Sequence, residues 1–342
     1  MSRFTPLTAI AVATLGGIAL AGCSSAEAEP AETASSVAEA ATITVYTSEP
    51  QEKIDEIIAA FNKQQPNVTV EVFRAGTGDL TARIESERVS GDVQADILLA
   101  ADAPTFEAYA AEDLLLQFES TEIDAINPDV VDAEGYYIGT RIIPTVIAYN
   151  TGMVDSPPTS WVELAEPEWA DKIVMPNPDV SGAAAFNAAV WYNADELGKS
   201  WLEKLAGNNP VIVDSNGPTA QAVATGTQPV GVVVDYLVRE LAAAGSPIAV
   251  SYPTDGVPYV SQPVGIFAST DEEEASKLFI DFLLGAEGQK IAVEQSYLPV
   301  RGDVGTPEGA PAMDEINILT PDLDVISETR VEAVAFFNSL FG

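Results

Sequence analysis

Short β-prone runs alternate with helical segments along most of the chain, and this order is the strongest constraint on its fold. In the first helical segment apolar residues recur at the spacing of an α-helix, at Ile54, Ile57, Ile58 and Phe61. The first set of elements predicts strands at residues 43–46, 68–73 and 95–99 and helices at residues 52–61, 80–89 and 104–111. Strands that alternate with helices in this way predict an α/β protein with a mostly parallel sheet.

A second α/β set follows the first. It predicts strands at residues 172–175, 211–213 and 230–234 and helices at residues 182–192, 195–205, 219–224 and 237–244. Two extended stretches, residues 136–149 and 257–268, flank this set, and two helices at residues 275–284 and 287–294 pack back on the first set. The chain is therefore predicted to cross twice between two lobes that face each other across a cleft. We expect lobe 1 to hold residues 42–145 with 260–342, and lobe 2 to hold residues 146–259.

The N-terminal 22 residues have the features of a secretory signal peptide. They carry one positive charge, Arg3, and then a largely apolar stretch that is too short for an ordinary membrane span. The stretch ends in Leu20-Ala21-Gly22-Cys23, which resembles the lipobox of bacterial lipoproteins. We therefore expect Cys23 to be lipidated and to anchor the chain outside the cytoplasm, at a bacterial membrane. Residues 23–41 are predicted to form a flexible tether, because their composition offers little apolar area to bury.

The charge balance and the missing residue types exclude several classes of protein. Fifteen basic residues against 52 acidic ones give a net charge of −37, and such a surface repels nucleic acid. The chain has no histidine, so hydrolases with a serine or cysteine nucleophile and zinc enzymes with histidine ligands lack their usual groups. A single cysteine excludes an intramolecular disulfide. Enzymes that work with carboxylates are not excluded.

Four predicted strand-to-helix turns share one composition, and they are residues 47–50, 75–79, 179–183 and 214–219. Each turn places a hydroxyl or amide side chain at a helix start, and three add a glycine that lets the backbone approach a ligand. In an open α/β sheet such turns border the ligand crevice, and a helix N-terminus favours a bound anion. The same residue types are ordinary helix caps, so the pattern alone leaves both interpretations open.

Charged residues near these turns also allow two interpretations each. Asp235 and Tyr236 directly follow the apolar run 230–234, and they are predicted at a strand end that faces the same crevice. Asp235 is suited to accept hydrogen bonds from an amine or hydroxyl group or to bind a hard cation, and a helix cap is the alternative. Arg74 and Arg141 are suited to pair with an anion, and an ordinary ion pair is the alternative for each.

Several segments, together with the lipobox and the tether, resemble the extracellular substrate-binding lipoproteins of ABC importers. These segments are residues 139–150, 160–174, 181–183 and 232–236. The resemblance is greatest to the group that includes ferric-ion, phosphonate and hexose-phosphate binding proteins. It implies a two-lobed, type II periplasmic-binding-protein-like fold, with two crossing strands as the hinge and the ligand in the interlobe cleft. It also implies a monomer that is not an enzyme, needs no cofactor and delivers a small anionic ligand to the permease subunits of the transporter.

The resemblance also implies individual site residues. Ferric-ion members hold an anion with a Ser-Gly-Ala turn and a later asparagine, which match residues 181–183 and Asn216. The metal-binding residues of those members are not matched here. Ser48 stands where they have a histidine or another ligand, and Tyr236-Leu237 replaces a tandem Tyr-Tyr. An anion site without its metal implies an organophosphonate or a sugar phosphate, with its amine or hydroxyl end on Asp235. The predicted ligand-binding residues are therefore Ser48, Thr77, Ser181, Gly182, Ala183, Asn216, Asp235 and Tyr236, with no bound metal.

Two other functions stay open at this point. On the same fold the protein could carry ferric ion, with Tyr236 and Asp235 as metal ligands. A secreted hydrolase that works with two carboxylates is a more distant alternative. The sequence offers no motif for such a pair, although it has 52 acidic residues.

Overall fold

The computed structural model of the protein describes residues 40–311, 315–319 and 321–342, all within one compact unit. The predicted signal peptide, Cys23 and the predicted tether up to residue 39 lie outside the described residues. Ala41, predicted as the last residue of the tether, is instead the first residue of a strand. Among the residues that are described, no helix has both the length and the apolar character needed to cross a membrane.

A first mixed sheet forms the core of what we call the first lobe. In the described chain it contains β1 (Ala41–Thr47), β2 (Val68–Arg74), β3 (Ile97–Leu99), β4 (Leu115–Leu116), β5 (Ile138–Gly139) and β12 (Pro263–Phe267). The order is β2-β1-β3-β12-β4, and β5 pairs with β12. The helices of this lobe are α1 (Gln51–Gln64), α2 (Thr77–Ser90), α3 (Ala103–Ala111), α9 (Glu273–Leu284) and α10 (Ala286–Glu294).

A second mixed sheet forms the core of what we call the second lobe. It contains β6 (Ile143–Asn150), β7 (Ile173–Pro176), β8 (Val211–Val213), β9 (Val230–Val234), β10 (Ile248–Ser251) and β11 (Tyr259–Val260). The order is β10-β6-β9-β7-β8, and β11 pairs with β6. The helices between these strands are α4 (Trp161–Leu164), α5 (Gly182–Asn193), α6 (Gly198–Ala206), α7 (Asn216–Ala224) and α8 (Asp235–Ala243).

The predicted α/β class is confirmed, but the sheets are mixed rather than mostly parallel. The strands that precede helices are parallel, as in the β1–β2, β1–β3, β7–β8 and β7–β9 pairs. β6 and β12 are antiparallel to their neighbours, because each enters its sheet directly from the other lobe rather than through a crossover helix. Helices α2 and α7 begin three residues before the predicted starts at 80 and 219. Their first turns are polar, so apolar spacing did not reveal them.

Two crossing segments join the two sheets, as the resemblance implied. One is the short link between β5 and β6 and the other is the link between β11 and β12. They run side by side: the Thr140 N–H donates to the Ser261 carbonyl at 3.0 Å, and the Thr140 hydroxyl donates to the Gln262 carbonyl at 2.8 Å. Gln262 has a φ of 43°, which is an uncommon backbone conformation for a residue with a Cβ atom. The two crossing segments are therefore held to each other at the hinge.

The C-terminal helix α11 (Leu323–Phe341) corrects the predicted lobe boundaries. Residues 260–342 were expected to belong to lobe 1, but α11 packs on α5 and α6 of the second lobe. Its buried residues Ile326, Ala333 and Phe337 join the apolar cores of that lobe. Their spacing of seven and four residues is that of one helix face. The chain thus passes between the lobes a third time after α10.

The two lobes meet through backbone at a seam of glycines. The Gly78 N–H donates to the Val180 carbonyl at 3.4 Å. A Cβ atom on Gly78 would lie 1.9 Å from the Asp179 carbonyl oxygen, and one on Gly182 would lie 2.5 Å from the Ala101 carbonyl oxygen. No side chain fits at such distances, so the approach of the lobes depends on these glycines.

We expect Gly78→Ala to hold the lobes apart. Alanine favours the helical conformation of α2 by up to about 1 kcal/mol relative to glycine, so the variant should fold, while its methyl group blocks the seam. Small-angle scattering should then give a larger radius of gyration than for the wild type. Gly302→Ala is the matched control, because no atom lies within 4 Å of the added methyl group. An unchanged radius of gyration for Gly78→Ala would contradict this account of the seam.

Candidate functional site

A cleft of about 670 Å³ lies between the lobes, at the carboxyl ends of the parallel strands. It is lined by the turns that follow β1, β2, β7 and β8 and by the start of α8. These are the turns in which the sequence predicted a site. Seven of the eight predicted ligand-binding residues line the cleft: Ser48, Thr77, Ser181, Gly182, Ala183, Asn216 and Tyr236.

The start of α5 presents unused hydrogen-bond donors to this cleft. Ser181 caps the helix, and its Oγ atom accepts from the Ala184 N–H at 3.2 Å and from the Asn216 Nδ2 at 2.9 Å. With both acceptor positions of Oγ taken, the hydroxyl hydrogen is left to donate outward. The N–H groups of Gly182 and Ala183 belong to the first turn and have no acceptor inside the helix.

Asn216 fixes this arrangement from the neighbouring helix. Its Oδ1 accepts from the Val234 N–H at 3.2 Å, so its Nδ2 must face Ser181. The position of Asn216 follows from close packing of α7 on β9, where a Cβ atom on Gly231 would lie 2.8 Å from the Val223 side chain. The second lobe thus offers a rigid set of donors: one hydroxyl group, two backbone N–H groups and the positive end of a helix dipole.

The first lobe contributes hydroxyl groups and one cation. Thr77 is the first residue of α2 and is buried beside the α5 start. Ser48 accepts from the Ala101 N–H at 3.3 Å, which orients its side chain at the end of β1. Arg74 donates through Nε to the Glu49 carbonyl at 3.2 Å. Among the described residues that line the cleft, Arg74 is the only lysine or arginine.

Asp235 does not line the cleft, in contrast to the prediction for it. Its side chain is 1% exposed, and its Oδ2 accepts from Arg239 Nη2 at 3.0 Å and from the Tyr252 hydroxyl at 3.1 Å. Burial raises the pKa of Asp235, and the Arg239 guanidinium opposes that rise. The carboxylate is occupied inside the second lobe because Arg239 follows one helical turn later in α8. The geometry therefore removes Asp235 from the set of ligand-binding residues.

The floor of the cleft contains a buried carboxylate that the sequence analysis did not single out. Glu49 is 1% exposed and accepts from Gln262 Nε2 and from the Tyr297 hydroxyl, both at 2.7 Å. Arg141 Nη1 lies 3.2 Å from Glu49 Oε2. Arg141, considered above as an anion partner, is instead the partner of this carboxylate and does not line the cleft. The only signal in the sequence was an acidic residue in the turn after the first strand.

Tyr236 lies against the same floor. Its ring packs on Tyr297 with 4.5 Å between ring centroids, and Lys53 Nζ lies 4.5 Å and 4.3 Å from the two centroids. Burial, with a further contribution from the Glu49 carboxylate, raises the pKa of both tyrosines above their ordinary value. Both side chains are therefore neutral phenols at pH 7. Among the described residues, no group of three or more histidines, cysteines, aspartates or glutamates is arranged to hold a metal ion.

Known proteins to which this chain is similar in sequence include binding proteins. Residues 92–329 match the family model of the bacterial extracellular solute-binding protein. A "Putative 2-aminoethylphosphonate-binding periplasmic protein" of Salmonella typhimurium is 28% identical over 264 residues, which cover 72% of this chain and 73% of that protein. An "Fe(3+)-binding periplasmic protein" of Serratia marcescens is 22% identical over 289 residues, which cover 82% of this chain and 83% of that protein.

Solved structures show the same fold at low identity. The fructose-6-phosphate-bound periplasmic binding protein AfuA from Actinobacillus pleuropneumoniae superimposes with a TM-score of 0.78 at 21% identity, covering 86% of this chain and 97% of that one. Iron-bound HitA from Pseudomonas aeruginosa superimposes with a TM-score of 0.77 at 22% identity, covering 88% and 99%. Proteins named for an organophosphonate, a sugar phosphate and iron are therefore all similar to this chain.

The position of Asp235 leads to a prediction about stability. Asp235→Asn should lower the free energy of unfolding by about 3 kcal/mol, because it leaves the buried Arg239 guanidinium without its counter-charge. Urea denaturation followed by circular dichroism measures this change. The matched control is Asp214→Asn, an exposed residue that lines the cleft, where a change within about 0.5 kcal/mol is expected. Equal stability of wild type and Asp235→Asn would show that the Asp235–Arg239 pair has no structural role.

Proposed function

The chain belongs to the bacterial extracellular solute-binding protein family, and we propose that it captures a phosphorus-containing anion, an organophosphonate or a sugar phosphate. It is the solute-binding component of an ABC import system. Its relatives work in the periplasm, so the ligand is met outside the cytoplasm. The proposed ligand class rests on the start of α5.

The single observation that carries the proposal is the set of free donors at the α5 N-terminus. The Ser181 hydroxyl and the N–H groups of Gly182 and Ala183 converge beside a helix that is buried along ten successive residues. A phosphate or phosphonate group has three terminal oxygens that accept hydrogen bonds and a negative charge that the helix dipole favours. We assign the phosphorus head group to this turn.

The first lobe completes the anion site in this proposal. Thr77 at the start of α2 and the Arg74 guanidinium face the cleft from the side opposite α5. An anion that binds to α5 therefore gains further partners only when the lobes approach. Contacts made in the closed form alone shift the equilibrium toward closure, and the closed protein is the form delivered to the membrane permease.

The rest of the ligand needs partners other than Asp235, which the sequence predicted for it. Because Asp235 is buried and paired, we propose that Asp79 and Asp214 receive the amine or hydroxyl end of the ligand. Both line the cleft and both are exposed. The neutral Tyr236 phenol is suited to donate one more hydrogen bond to the ligand.

Ferric ion is the second candidate, and one observation favours it. Tyr236, Tyr297 and Glu49 lie close together at the cleft floor, and phenolate and carboxylate oxygens suit a hard cation. Three features weigh against it. Glu49 already accepts three hydrogen bonds or ion-pair contacts. Lys53 lies over both rings and the Arg141 guanidinium lies 4.7 Å from the Tyr297 centroid, so a trivalent ion would face two cations at short range.

The remaining parts of the proposal concern the whole protein. We propose that Cys23 is lipidated after removal of a signal peptide, and that residues 24–39 tether the binding unit to the membrane. In this role the protein acts as a monomer, forms no covalent bond to its ligand and needs no cofactor. A hydrolase built on two carboxylates has no support in the relatives, which are binding proteins.

A thermal-shift panel tests the ligand class. The panel contains 2-aminoethylphosphonate, glucose 6-phosphate, fructose 6-phosphate, inorganic phosphate and ferric citrate. A ligand at one hundred times its Kd stabilises the folded protein by about 2.7 kcal/mol, which raises Tm by several degrees. We expect this rise with an organophosphonate or a sugar phosphate. A rise with ferric citrate alone, together with a visible tyrosinate-to-iron absorption band, would contradict the proposal and support the second candidate.

Ser181→Asp tests the position of the head group within the panel, and Ser200→Asp is its control. Aspartate caps helices as well as serine does, so the fold is retained, while its charge faces the bound anion. Repulsion between like charges at this distance should weaken binding by at least about 100-fold, which removes the thermal shift. Ser200→Asp, on the exposed surface of α6, should respond to the ligand as the wild type does. An unchanged shift in Ser181→Asp would move the head group away from α5.

A further inference from the structure

The C-terminal helix α11 makes contact with both lobes. Its large apolar contact is with the second lobe, where Phe337 joins the core that contains Trp161, Trp191 and Trp201. It also contacts α3 of the first lobe. A helix that is fixed to one lobe and touches the other is placed to influence how the two lobes move.

The contact with the first lobe is centred on one ion pair. Arg330 of α11 donates through Nε to Asp102 Oδ1 at 3.2 Å and through Nη2 to Asp102 Oδ2. The Thr105 hydroxyl donates to the same Oδ2 at 2.6 Å. The Asp102 side chain is fully buried, and that of Arg330 is 26% exposed. In the described part of the chain, Arg330 is the only cation that pairs with Asp102.

The ion pair lies at the seam beside the anion site. Asp102 is the N-cap residue of α3, and its neighbour Ala101 provides the carbonyl oxygen that a Cβ atom on Gly182 would approach to 2.5 Å. On the other side, Asn338 of α11 donates to Asp179 Oδ1 at 2.9 Å, in the turn that faces Gly78. Two of the points at which the lobes meet are therefore connected to α11, whereas the Lys53–Glu240 ion pair, at 2.6 Å, joins α1 to α8 elsewhere.

α11 contacts both lobes, so one of these two contacts must break when the cleft opens. α3 moves with the first sheet, against which it packs, and α11 moves with α5 and α6. The packing of α11 on the second lobe involves several buried apolar residues and is the stronger contact. The Arg330–Asp102 pair is the smaller contact, and both of its charges regain water when it breaks. The pair is thus expected only in the closed form.

We propose that the Arg330–Asp102 pair is a closure latch, which sets the balance between open and closed forms and so tunes ligand affinity without touching the ligand. In the closed form Asp102 is shielded from water, and a buried carboxylate that loses its cation is strongly unfavourable. Arg330 is a positioning residue in this scheme. The inference rests on the proposed function only in that closure takes place around the ligand.

Distances between the lobes test the latch directly. Cys23 is the only cysteine, so the full chain carrying Cys23→Ser accepts spin labels at cysteines introduced for Val89 on α2 and Val211 on β8, both exposed. Without any ligand, pulsed electron resonance should show a short-distance population in the wild type. Arg330→Met should shift this population to longer distances. A wild type with long distances only would overturn the proposal.

Glu332→Gln is the matched control, because it removes an ion pair of α11 that lies within one lobe. Glu332 pairs with Lys199 of α6 at 3.1 Å on the surface of the second lobe. Its distance distribution should equal that of the wild type. The double variant Arg330→Met/Asp102→Asn should recover part of the closed population, because no buried charge is left unpaired. If Arg330→Met and Glu332→Gln both match the wild type, the latch does not exist.

Two further readouts complete the test. If Arg330→Met does not fold, Arg330→Lys replaces it, which keeps the charge but loses the two-point geometry; a distribution like that of the wild type would then overturn the latch. With the phosphorus compound that gives a thermal shift, Arg330→Met should show a Kd raised about tenfold, in proportion to the lost closed fraction. Because the distances are measured without ligand, failure of the proposed ligand class would leave the latch result unaffected.

Discussion

The buried carboxylate of Glu49 is the interaction around which the cleft is built. It accepts hydrogen bonds from Gln262 of one crossing segment and from Tyr297 of the chain after α10. It also forms an ion pair with Arg141 of the other crossing segment. A charge taken out of water is stable only where its partners satisfy it completely. Since its three partners come from separate parts of the chain, this carboxylate holds both crossing segments and the chain after α10 together at the floor of the cleft.

The site is then a consequence of helix geometry at the rim of that floor. The free N–H groups of α5 lie at one place, the turn at Ser181, because the later N–H groups bond to carbonyls within the helix. Asn216 holds the Ser181 hydroxyl in position, and glycines on both sides let the lobes meet through backbone. In the proposed function, binding and closure are coupled because donors for the same anion lie on both lobes. In the proposed latch, α11 adds a contact outside the cleft that forms with the same closing movement.

Much of the fold could be predicted because its signals are local. Apolar spacing located most of the strands and helices, although no helix was predicted for α11, and hydroxyl and glycine residues marked the turns that border the cleft. Two of the failures differ in kind. Arg239, the partner of Asp235, follows it by four residues, a helical spacing that is visible in the sequence. The partners of Glu49 lie 213 and 248 residues away, where no local pattern shows them. The placement of α11 on the second lobe likewise depends on its tertiary contacts, which its own helical pattern does not specify.

The central claim is that the anion binds to the first turn of α5, and amide resonances in ¹H–¹⁵N NMR spectra test it most directly. An N–H group that donates to an anion shifts to lower field. On addition of the phosphorus compound that stabilises the protein, the account predicts that the amide protons of Gly182 and Ala183 shift downfield and saturate with the ligand. Unchanged resonances for both amides, with the main changes near Tyr236 and Tyr297, would contradict it.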